Sequence, residues 1–476
     1  MAASLSSSSM FSLASGCFYV LFLLGFSRYA VSQSIVRHLP GFDGPLPFEL
    51  ETGFVSVDDS NDVNLFYYFV KSENKPSEDP LIVWFSGGPG CSVLTALAFE
   101  FGPLLFKVEK YNGSLPTLVT NPHRWTKVAN IIFLDAPVGT GYSYSRSFQG
   151  SYTSDTKSAE QTYTFIRKWL LNHPEFLSNP LYVGGDSYSG KTVPIVVQDI
   201  SDGIQAGDKP LINLKGYLVG NPTTDYDEER NSRIPFSHGM GLISDELFES
   251  AKKNCQGNYI NVDPHNTPCI EDVEAISECT SGLNNAHILE PKCVLVSPKT
   301  TITLRKRSTL EENENNIILS RPATPGLECR SYGYMLSYYW ANDITVKKAL
   351  NIEKVSTEEW IRCKYIGGLN YLEDVEKSTQ YHANLIKRNY RSLIYNGDHD
   401  MLVPFLSTQT WIRSLNYSIS DDWRPWSVEG QIAGYTRTYM TNMTYATIKG
   451  GGHTAPEYKP KECLSMVRRW LSYEPL

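Results

Sequence analysis

The feature that most constrains the fold is an alternation of short apolar runs, rich in β-branched and aromatic residues, with longer amphipathic stretches. Apolar residues recur with helical spacing at 158–171 and 192–200, and a hairpin pattern at 53–57 and 63–70 precedes the alternation. Such a pattern predicts an α/β sheet with helices on its faces and functional sites at the carboxyl ends of its strands. The runs predicted to be buried strands are 81–85, 131–134, 181–183, 214–219, 393–395 and 445–448.

The composition is that of a globular chain. Its 476 residues, at about 150 per domain, allow about three domains or one large core with an insertion. A hydrophobic content of 41% with 12% aromatic residues is too high for a disordered chain. The net charge of −8 argues against nucleic acid as the main partner, because phosphate binding needs a basic surface.

The alternation breaks between about residues 225 and 327, where strand-like runs stop and four of the nine cysteines are found. We therefore predict an inserted region at 225–330 that divides the core into parts at 33–224 and 331–476. Within it, the segment 297–326 is rich in polar and charged residues and contains Arg-Lys-Arg. That loop is either solvated surface or a processing site, so the protein is expected to be a monomer or a two-chain form.

The amino terminus resembles a secretory signal. Residues 18–26 form a run without a strongly polar side chain, which is too short to span a bilayer, since a span needs about 20 residues. Ala-Val-Ser at 30–32 fits a small-x-small cleavage site. We expect a signal peptide at 1–32 and a secreted or vacuolar protein without a membrane partner. No basic residue precedes the run, so a retained anchor stays the alternative.

Passage through an oxidising compartment would allow the cysteines to form disulfides. Cleavage would remove Cys17 and leave eight, an even number that predicts disulfides, although eight cysteines allow 105 pairings. Acceptor sequons at Asn112, Asn416 and Asn442 predict N-glycosylation.

The motif Gly-Asp-Ser-Tyr-Ser-Gly at 185–190 follows a predicted strand and precedes a predicted helix. A serine on such a tight turn exposes its hydroxyl, and its neighbours must be small because strand and helix approach closely. Ser187 is therefore the predicted nucleophile, and the backbone N–H of Tyr188 would face a developing oxyanion. Ser143 has the same spacing in 141–145, but a polar loop follows it, so context favours Ser187.

A serine hydroxyl needs a base to take its proton and a carboxylate to orient that base. In α/β hydrolases these residues follow the serine in the order Asp, then His. His453 ends a Gly-Gly-Gly-His turn directly after a predicted strand. Asp398 and Asp400 both lie on the loop after another strand, and the Asp-x-x-Val-Pro spacing favours Asp400.

The glycine-rich loop at 86–92 follows the predicted strand 81–85. Its glycines expose backbone N–H groups that can complete an oxyanion hole with the Tyr188 N–H. The Gly-Lys-Ser/Thr ending of a phosphate-binding loop is absent.

Several ordered motifs, from about residue 35 to the end, together resemble the serine carboxypeptidase family. The resemblance implies an α/β-hydrolase fold, with a central mostly parallel sheet and an inserted helical, disulfide-bonded lid. It implies the triad Ser187, Asp400 and His453 and an oxyanion hole formed by the N–H groups of Gly88 and Tyr188. We expect no metal and no organic cofactor. The motifs are Leu39-Pro40-Gly41-Phe42, Leu50-Glu51-Thr52-Gly53, Gly87-Gly88-Pro89-Gly90-Cys91-Ser92, Pro137-Val138-Gly139-Thr140-Gly141, the serine turn, Gly397-Asp398-His399-Asp400 and Gly452-His453.

The family pattern also implies disulfides, which would leave Cys363 and Cys463 without an assigned partner. The implied pairs are Cys91 with Cys329, Cys255 with Cys269, and Cys279 with Cys293.

The family contains acid exopeptidases and plant acyltransferases that take acyl groups from 1-O-acyl-glucose esters. Peptidases typically bind the substrate's terminal carboxylate with an Asn before Gly-Gly-Pro-Gly, a Glu before the nucleophile and a further Glu. The corresponding residues here are Ser86, Asp186 and Glu100, and with Gly87 they form the predicted substrate-binding set. A hydroxyl in place of an amide, and an acid shorter by one methylene, would hold a terminal carboxylate loosely.

Other motifs resemble the acyltransferase branch: Trp340-Ala341-Asn342-Asp343, Trp423-Arg424-Pro425-Trp426 and Thr454-Ala455-Pro456-Glu457. We therefore expect transfer of a hydroxycinnamoyl, benzoyl or galloyl group from an acyl-glucose donor to an acceptor hydroxyl or amine. A serine carboxypeptidase is the second hypothesis, and a catalytically silent secreted glycoprotein is the third.

Overall fold

The computed structural model describes residues 33–293, 325–352, 359–364 and 368–476. The predicted signal peptide and most of the predicted loop at 297–326, with its basic triplet, lie outside these residues, so cleavage at either place stays a prediction. No helix within the described ranges is both long and apolar enough to cross a bilayer.

The core is a sheet of twelve strands, and there are two small sheets of two strands each. The strands are β1 (Ser34–Val36), β2 (Leu50–Asp58), β3 (Val63–Val70), β4 (Leu81–Phe85), β5 (Leu104–Phe106), β6 (Leu118–Thr120), β7 (Asn130–Leu134), β8 (Tyr144–Ser145), β9 (Tyr152–Ser154), β10 (Leu181–Asp186), β11 (Leu214–Gly220), β12 (Asn370–Leu372), β13 (Arg391–Gly397), β14 (Ile419–Val428), β15 (Gln431–Tyr439) and β16 (Met443–Ile448). The order in the large sheet is β1-β2-β3-β7-β4-β10-β11-β13-β16-β15-β14, with β8 paired to β3, and the small sheets pair β5 with β6 and β9 with β12.

The centre of the large sheet is parallel. Its six strands, β7, β4, β10, β11, β13 and β16, pair in parallel, and they are the six runs predicted as buried strands. The predicted hairpin forms as the antiparallel pair of β2 and β3. Because the carboxyl ends of parallel strands meet at one edge, the loops after β4, β10, β11, β13 and β16 lie along that edge.

Helices cover both faces of the sheet. Along β4, Leu81, Val83 and Phe85 join the core on one face, and Ile82 and Trp84 join the core on the other, as the period of two requires. The helices are α1 (Asp155–Asn172), α2 (Ser189–Ala206), α3 (Tyr226–Gly239), α4 (Asp245–Cys255), α5 (Thr267–Thr280), α6 (Arg330–Asn342), α7 (Ile344–Ala349), α8 (Thr379–Lys387), α9 (Phe405–Ser414), α10 (Ala455–Tyr458) and α11 (Pro460–Leu471), with short 3₁₀ or π turns at Ala96–Glu100, Trp125–Lys127, Gln149–Ser151 and Pro174–Phe176.

The described part of the predicted insertion at 225–330 is helical. It contains α3, α4 and α5, and a small apolar cluster of its own includes Ile234, Ile243 and Ile276. The boundaries of the insertion stay a prediction, but the change from strands to helices after β11 lies where the alternation ends in the sequence.

Two of the three disulfides implied by the family pattern are wrong. The pair Cys255–Cys269 is confirmed, but Cys91 bonds Cys363 rather than Cys329. Cys293 in turn bonds Cys329 rather than Cys279, with 6.0 Å between the two Cα atoms.

The backbone gives the physical reason for the first correction. Cys91 and Cys363 face each other in an isolated antiparallel bridge, so the glycine-rich loop is joined to the segment at 359–364. The thiols of Cys279, which is exposed, and Cys463, which is buried, are free.

Candidate active site

Ser187 lies on the turn between β10 and α2. Its φ of +55° lies in the left-handed region, which costs a non-glycine residue roughly 1–2 kcal/mol. Two hydrogen bonds hold the turn: the Ser187 N–H donates to the Gly220 carbonyl at 2.9 Å, and the Gly190 N–H donates to the Ser187 carbonyl at 2.9 Å. This strained strand-turn-helix geometry presents a serine hydroxyl at the sheet edge.

The neighbours of Ser187 must be small, as predicted. A Cβ added at Gly185 would lie 2.4 Å from the Ser189 Cβ and 2.6 Å from the Phe85 carbonyl oxygen. One added at Gly190 would lie 2.5 Å from the Cβ of Pro222. Ser189, which stands where a glycine is usual, fits because its hydroxyl donates to the Phe85 carbonyl at 3.0 Å.

The predicted Ser, His and Asp side chains are in hydrogen-bond contact. The Nε2 atom of His453 lies 2.7 Å from the Ser187 hydroxyl oxygen, and its Nδ1 atom lies 2.7 Å from Oδ2 of Asp400. A carboxylate only accepts hydrogen bonds, so Nδ1 carries the hydrogen and Nε2 is left to accept the serine proton. This arrangement can activate a serine as a nucleophile.

The Asp400 carboxylate is fully buried, with 0% of the residue exposed, and is held from two further sides. The Leu402 N–H donates to its Oδ1 at 2.8 Å, and the Asn221 amide donates to its Oδ2 at 2.8 Å. The contact of Asn221 with Asp400 was not predicted from the sequence. Its signal was present, because Gly-Asn-Pro at 220–222 directly follows a predicted strand, as the loops of the triad do.

The two alternatives left open by the sequence have other partners. Asp398 accepts from Nδ1 of His399 at 2.6 Å and from the Gly450 N–H at 2.7 Å. The hydroxyl of Ser143 donates to the Asp135 carbonyl and accepts from the Phe66 N–H. Asp398 therefore shapes the turn before His453, and Ser143 closes a structural turn.

The surroundings of His453 raise the pKa of its imidazole above the ordinary value. Burial alone would lower that pKa, but the charge and hydrogen bond of Asp400, and then the charges of Asp186 and Glu229, outweigh it. The imidazolium that forms when the serine gives up its proton is therefore favoured.

The glycine-rich loop after β4 lies against the nucleophile turn. A Cβ at Gly87 would lie 2.7 Å from the backbone nitrogen of Tyr188, and Gly88 adopts a φ of +117° that side chains rarely allow. The backbones of the two predicted oxyanion donors, Gly88 and Tyr188, are thereby brought together beside Ser187.

The other predicted substrate-binding residues form a buried polar cluster: Glu100 is 1% exposed, Asp186 4% and Ser86 7%. The Gly87 N–H donates to Oδ1 of Asp186 at 3.3 Å. Neither carboxyl oxygen of Glu100, nor the Ser86 hydroxyl, has a hydrogen-bond partner among the described residues. The cluster therefore contains hydrogen-bonding atoms without a partner, to which a substrate group can bind.

Burial also raises the pKa of both acids in this cluster. The pKa of Asp186 rises to about 6, although the His453 charge and the Gly87 N–H oppose the rise. The pKa of Glu100 rises well above its ordinary value through burial and the charges of Asp186 and Glu457. A protonated Glu100 can donate a hydrogen bond that an ionised one cannot.

The segment just after α5, within the predicted insertion, holds the loops that carry the triad. The His453 N–H donates to the Ala286 carbonyl at 2.7 Å, and the Met401 N–H donates to the Asn285 carbonyl at 2.9 Å. The Ile288 N–H donates to the His399 carbonyl at 3.1 Å. These contacts are not predictable from the sequence, because backbone hydrogen bonds do not depend on side-chain identity.

Within the described ranges, no group of three or more His, Cys, Asp or Glu side chains is placed to hold a metal ion.

The fold is similar to that of a solved carboxypeptidase. Kex1(delta)p, a prohormone-processing carboxypeptidase from Saccharomyces cerevisiae, superposes with a TM-score of 0.70 over 92% of this chain and 95% of its own, at 18% sequence identity. The chain therefore has the α/β-hydrolase fold. At this level of identity the likeness shows the fold alone.

Curated relatives are much more similar in sequence. Serine carboxypeptidase-like 16 and serine carboxypeptidase-like 1, both from Arabidopsis thaliana, are 52% and 53% identical. Each alignment covers 94% of this chain and 95% of the relative. The family model described as serine carboxypeptidase, peptidase S10, matches residues 40–473. The chain belongs to the serine carboxypeptidase family.

Proposed function

We propose that this protein is an acyltransferase. It moves a hydroxycinnamoyl, benzoyl, galloyl or similar group from a 1-O-acyl-glucose ester to an acceptor hydroxyl or amine, through an acyl-enzyme on Ser187. The observation that carries the proposal is the composition of the buried cluster beside the nucleophile, where Ser86, Asp186 and Glu100 stand in place of the family's usual carboxylate-binding set.

The geometry of that cluster favours a neutral substrate group over a carboxylate. Ser86 offers one hydroxyl, and Asp186 is turned to accept from the Gly87 N–H. With a pKa of about 6, Asp186 is largely ionised at neutral pH and would repel a terminal carboxylate. Sugar hydroxyls, which donate as well as accept, suit a site that holds an acceptor carboxylate and a free hydroxyl.

In the first half-reaction, His453 takes the Ser187 proton on Nε2 while the serine oxygen bonds to the donor's carbonyl carbon. The N–H groups of Gly88 and Tyr188 would stabilise the oxyanion. When the carbonyl re-forms, the bond to the glucose O1 atom breaks, and the His453 proton passes to that oxygen. Glucose leaves and the acyl-enzyme remains.

In the second half-reaction, His453 takes a proton from the acceptor hydroxyl or amine, which attacks the acyl carbon. The Ser187 oxygen leaves and recovers the proton from His453. Water competes for the same step, so transfer requires that the acceptor be positioned and water excluded. The segment 285–288 is hydrogen-bonded to the loops that carry Asp400 and His453, so the predicted insertion to which it belongs is well placed to position the acceptor and exclude water.

A serine carboxypeptidase is the second candidate, and one observation favours it. Glu100 stays buried beside Asp186 with a raised pKa, so a protonated acid is available to donate to a terminal carboxylate. The third hypothesis, a catalytically silent glycoprotein, is weakened by the 2.7 Å contact between His453 and Ser187, which a binding protein has no need to keep.

The test offers the purified protein a hydroxycinnamoyl-glucose or a galloyl-glucose with mixed alcohol and amine acceptors, and separately an N-blocked dipeptide. Ester or amide products identified by mass spectrometry, lost in Ser187→Ala, support transfer. Release of the C-terminal amino acid without any ester transfer would exclude the acyltransferase. The double change Ser86→Asn with Asp186→Glu is expected to raise dipeptide hydrolysis relative to transfer.

We also propose that the protein acts as a monomer or cleaved two-chain form on small-molecule donors and acceptors, after passage through the secretory pathway to the vacuole or cell exterior. The three disulfides support this route because such bonds persist in oxidising compartments. The sequon residues Asn112, Asn416 and Asn442 are all exposed, as glycosylation requires.

A further inference from the structure

A cavity of about 260 Å³ lies between α9 and the antiparallel end of the sheet, formed by β14, β15 and β16. No residue of the Ser187 site lines it. Its inner lining is apolar and aromatic, because Ile412, Tyr439 and Tyr445 are all buried.

Trp423 forms one wall of this cavity and is 39% exposed, so its indole reaches the rim. One neighbour of the indole is Tyr435, which stacks on it with ring centroids 5.7 Å apart and planes 7° apart. Another is Tyr445, nearly parallel at 23° with centroids 6.1 Å apart. These two ring contacts fix the position of the indole, which lines the cavity with an aromatic surface.

Two arginines lie at the rim, and one of them gives it an excess positive charge. Arg437 is paired, since its Nε and Nη2 atoms lie 3.0 and 2.8 Å from Oδ1 of Asp422. Arg413 is exposed, and its Nη2 donates to the neutral Gln409 side chain at 2.6 Å. Among the described residues no acid lies within ion-pair distance of Arg413, so its charge is available to a ligand.

We propose that this cavity binds a small aromatic carboxylate, with its ring against Trp423 and Tyr445 and its carboxylate paired with Arg413. Pockets for drug-sized ligands measure about 300–1,000 Å³, so this one suits a molecule of a single ring. An inorganic anion would leave the aromatic walls uncovered, and a neutral arene would leave the Arg413 charge without an ion-pair partner. Guanidinium pairs with carboxylates in a bidentate geometry that fixes the ligand's orientation.

The proposal is tested by calorimetric titration of the full-length protein with benzoate as the probe. Arg413→Gln is expected to weaken benzoate binding by about tenfold or more, since a charge-assisted hydrogen bond is worth at least that factor. Trp423→Leu is expected to weaken it by about two- to tenfold, since it removes the stacking of the two rings. The matched control is Arg146→Gln, because Arg146 is also an exposed arginine near an aromatic ring, Tyr144, but outside the cavity. This control should bind like the unchanged protein.

A second comparison needs no variant. Benzamide has the same ring without the charge, and sulfate has charge without a ring, so both are expected to bind the unchanged protein at least about tenfold more weakly than benzoate. Equal binding of benzamide, or displacement of benzoate by equimolar sulfate, would overturn the proposal. Benzoate binding that survives both Arg413→Gln and Trp423→Leu would place the ligand elsewhere and overturn it too.

Discussion

The Nε2 atom of His453 lies 2.7 Å from the hydroxyl oxygen of Ser187, although 266 positions separate the two residues in the chain. The contact exists because β10 and β16 are parallel strands of one sheet, and each is followed at the same edge by a glycine-containing turn. Asp400, which contacts His453, lies on the loop after β13 at the same edge.

Asp400→Asn should remove most of the activity. Asparagine can present its N–H₂ group to Nδ1 and so favour the wrong tautomer of His453, a change expected to lower kcat about 10³–10⁴-fold. Steady-state rates of acyl transfer measure this. The matched control is Asp398→Asn, two residues earlier, because an amide oxygen can still accept from the Gly450 N–H. Similar losses in both variants would contradict the assignment of Asp400 as the orienting acid.

The pH dependence of kcat/KM should show an acid limb set by His453. The base must be neutral to accept a proton, and its pKa is raised, so activity is expected to be lost as pH falls through a value above the ordinary pKa of histidine. Because the Asp186 charge helps to raise that pKa, Asp186→Asn should move the acid limb to lower pH.

Profiles measured over pH 4–9 would check this, with Asp245→Asn as the control, since Asp245 is 88% exposed at the side chain and pairs with His238. A profile without an acid limb, or a limb that moves to higher pH in Asp186→Asn, would rule out His453 as the base with Asp186 as its electrostatic neighbour.

The sequence predicts the parts of this molecule whose signal is local. The six parallel strands appear as apolar runs, and Ser187, Asp400 and His453 each follow one of them, so order along the chain narrowed the candidates to a few residues. Asp398 was the near alternative. The Asp-x-x-Val-Pro spacing favoured Asp400, and in the structure Asp398 contacts His399 and Gly450 instead of His453.

Contacts between distant segments were harder to predict. The Cys91–Cys363 bond spans 272 positions, and nothing near either cysteine specifies the partner. The Ala286 carbonyl that holds the His453 backbone could be that of any residue, because it uses no side chain. Such contacts depend on how a helical segment packs against the sheet edge. They are determined by the tertiary structure, so the local sequence pattern does not predict them.

Gly185→Ala should disrupt the nucleophile turn. Its Cβ would lie 2.4 Å from the Ser189 Cβ and 2.6 Å from the Phe85 carbonyl oxygen, and neither the strand nor the helix start can move freely. Overpacking of this kind costs about 1–3 kcal/mol or more, so both thermal stability and transfer rate should fall. Thermal unfolding with parallel activity assays measures both. Gly239→Ala is the control, because its Cβ would meet no atom within 4 Å; a loss as large in this control would show that the crowding at Gly185 is not the cause.

Cys293→Ser and Cys279→Ser should have different effects on stability. Cys293 bonds Cys329 across 36 positions, and loss of such a link is expected to cost about 2–4 kcal/mol. Cys279 is exposed with a free thiol, so its replacement should change stability by no more than about 0.5 kcal/mol. Urea unfolding of the two variants and the unchanged protein gives the comparison. Peptide mapping without reduction should recover Cys293 joined to Cys329, and a peptide joining Cys279 to Cys293 would instead restore the pairing implied by the family pattern.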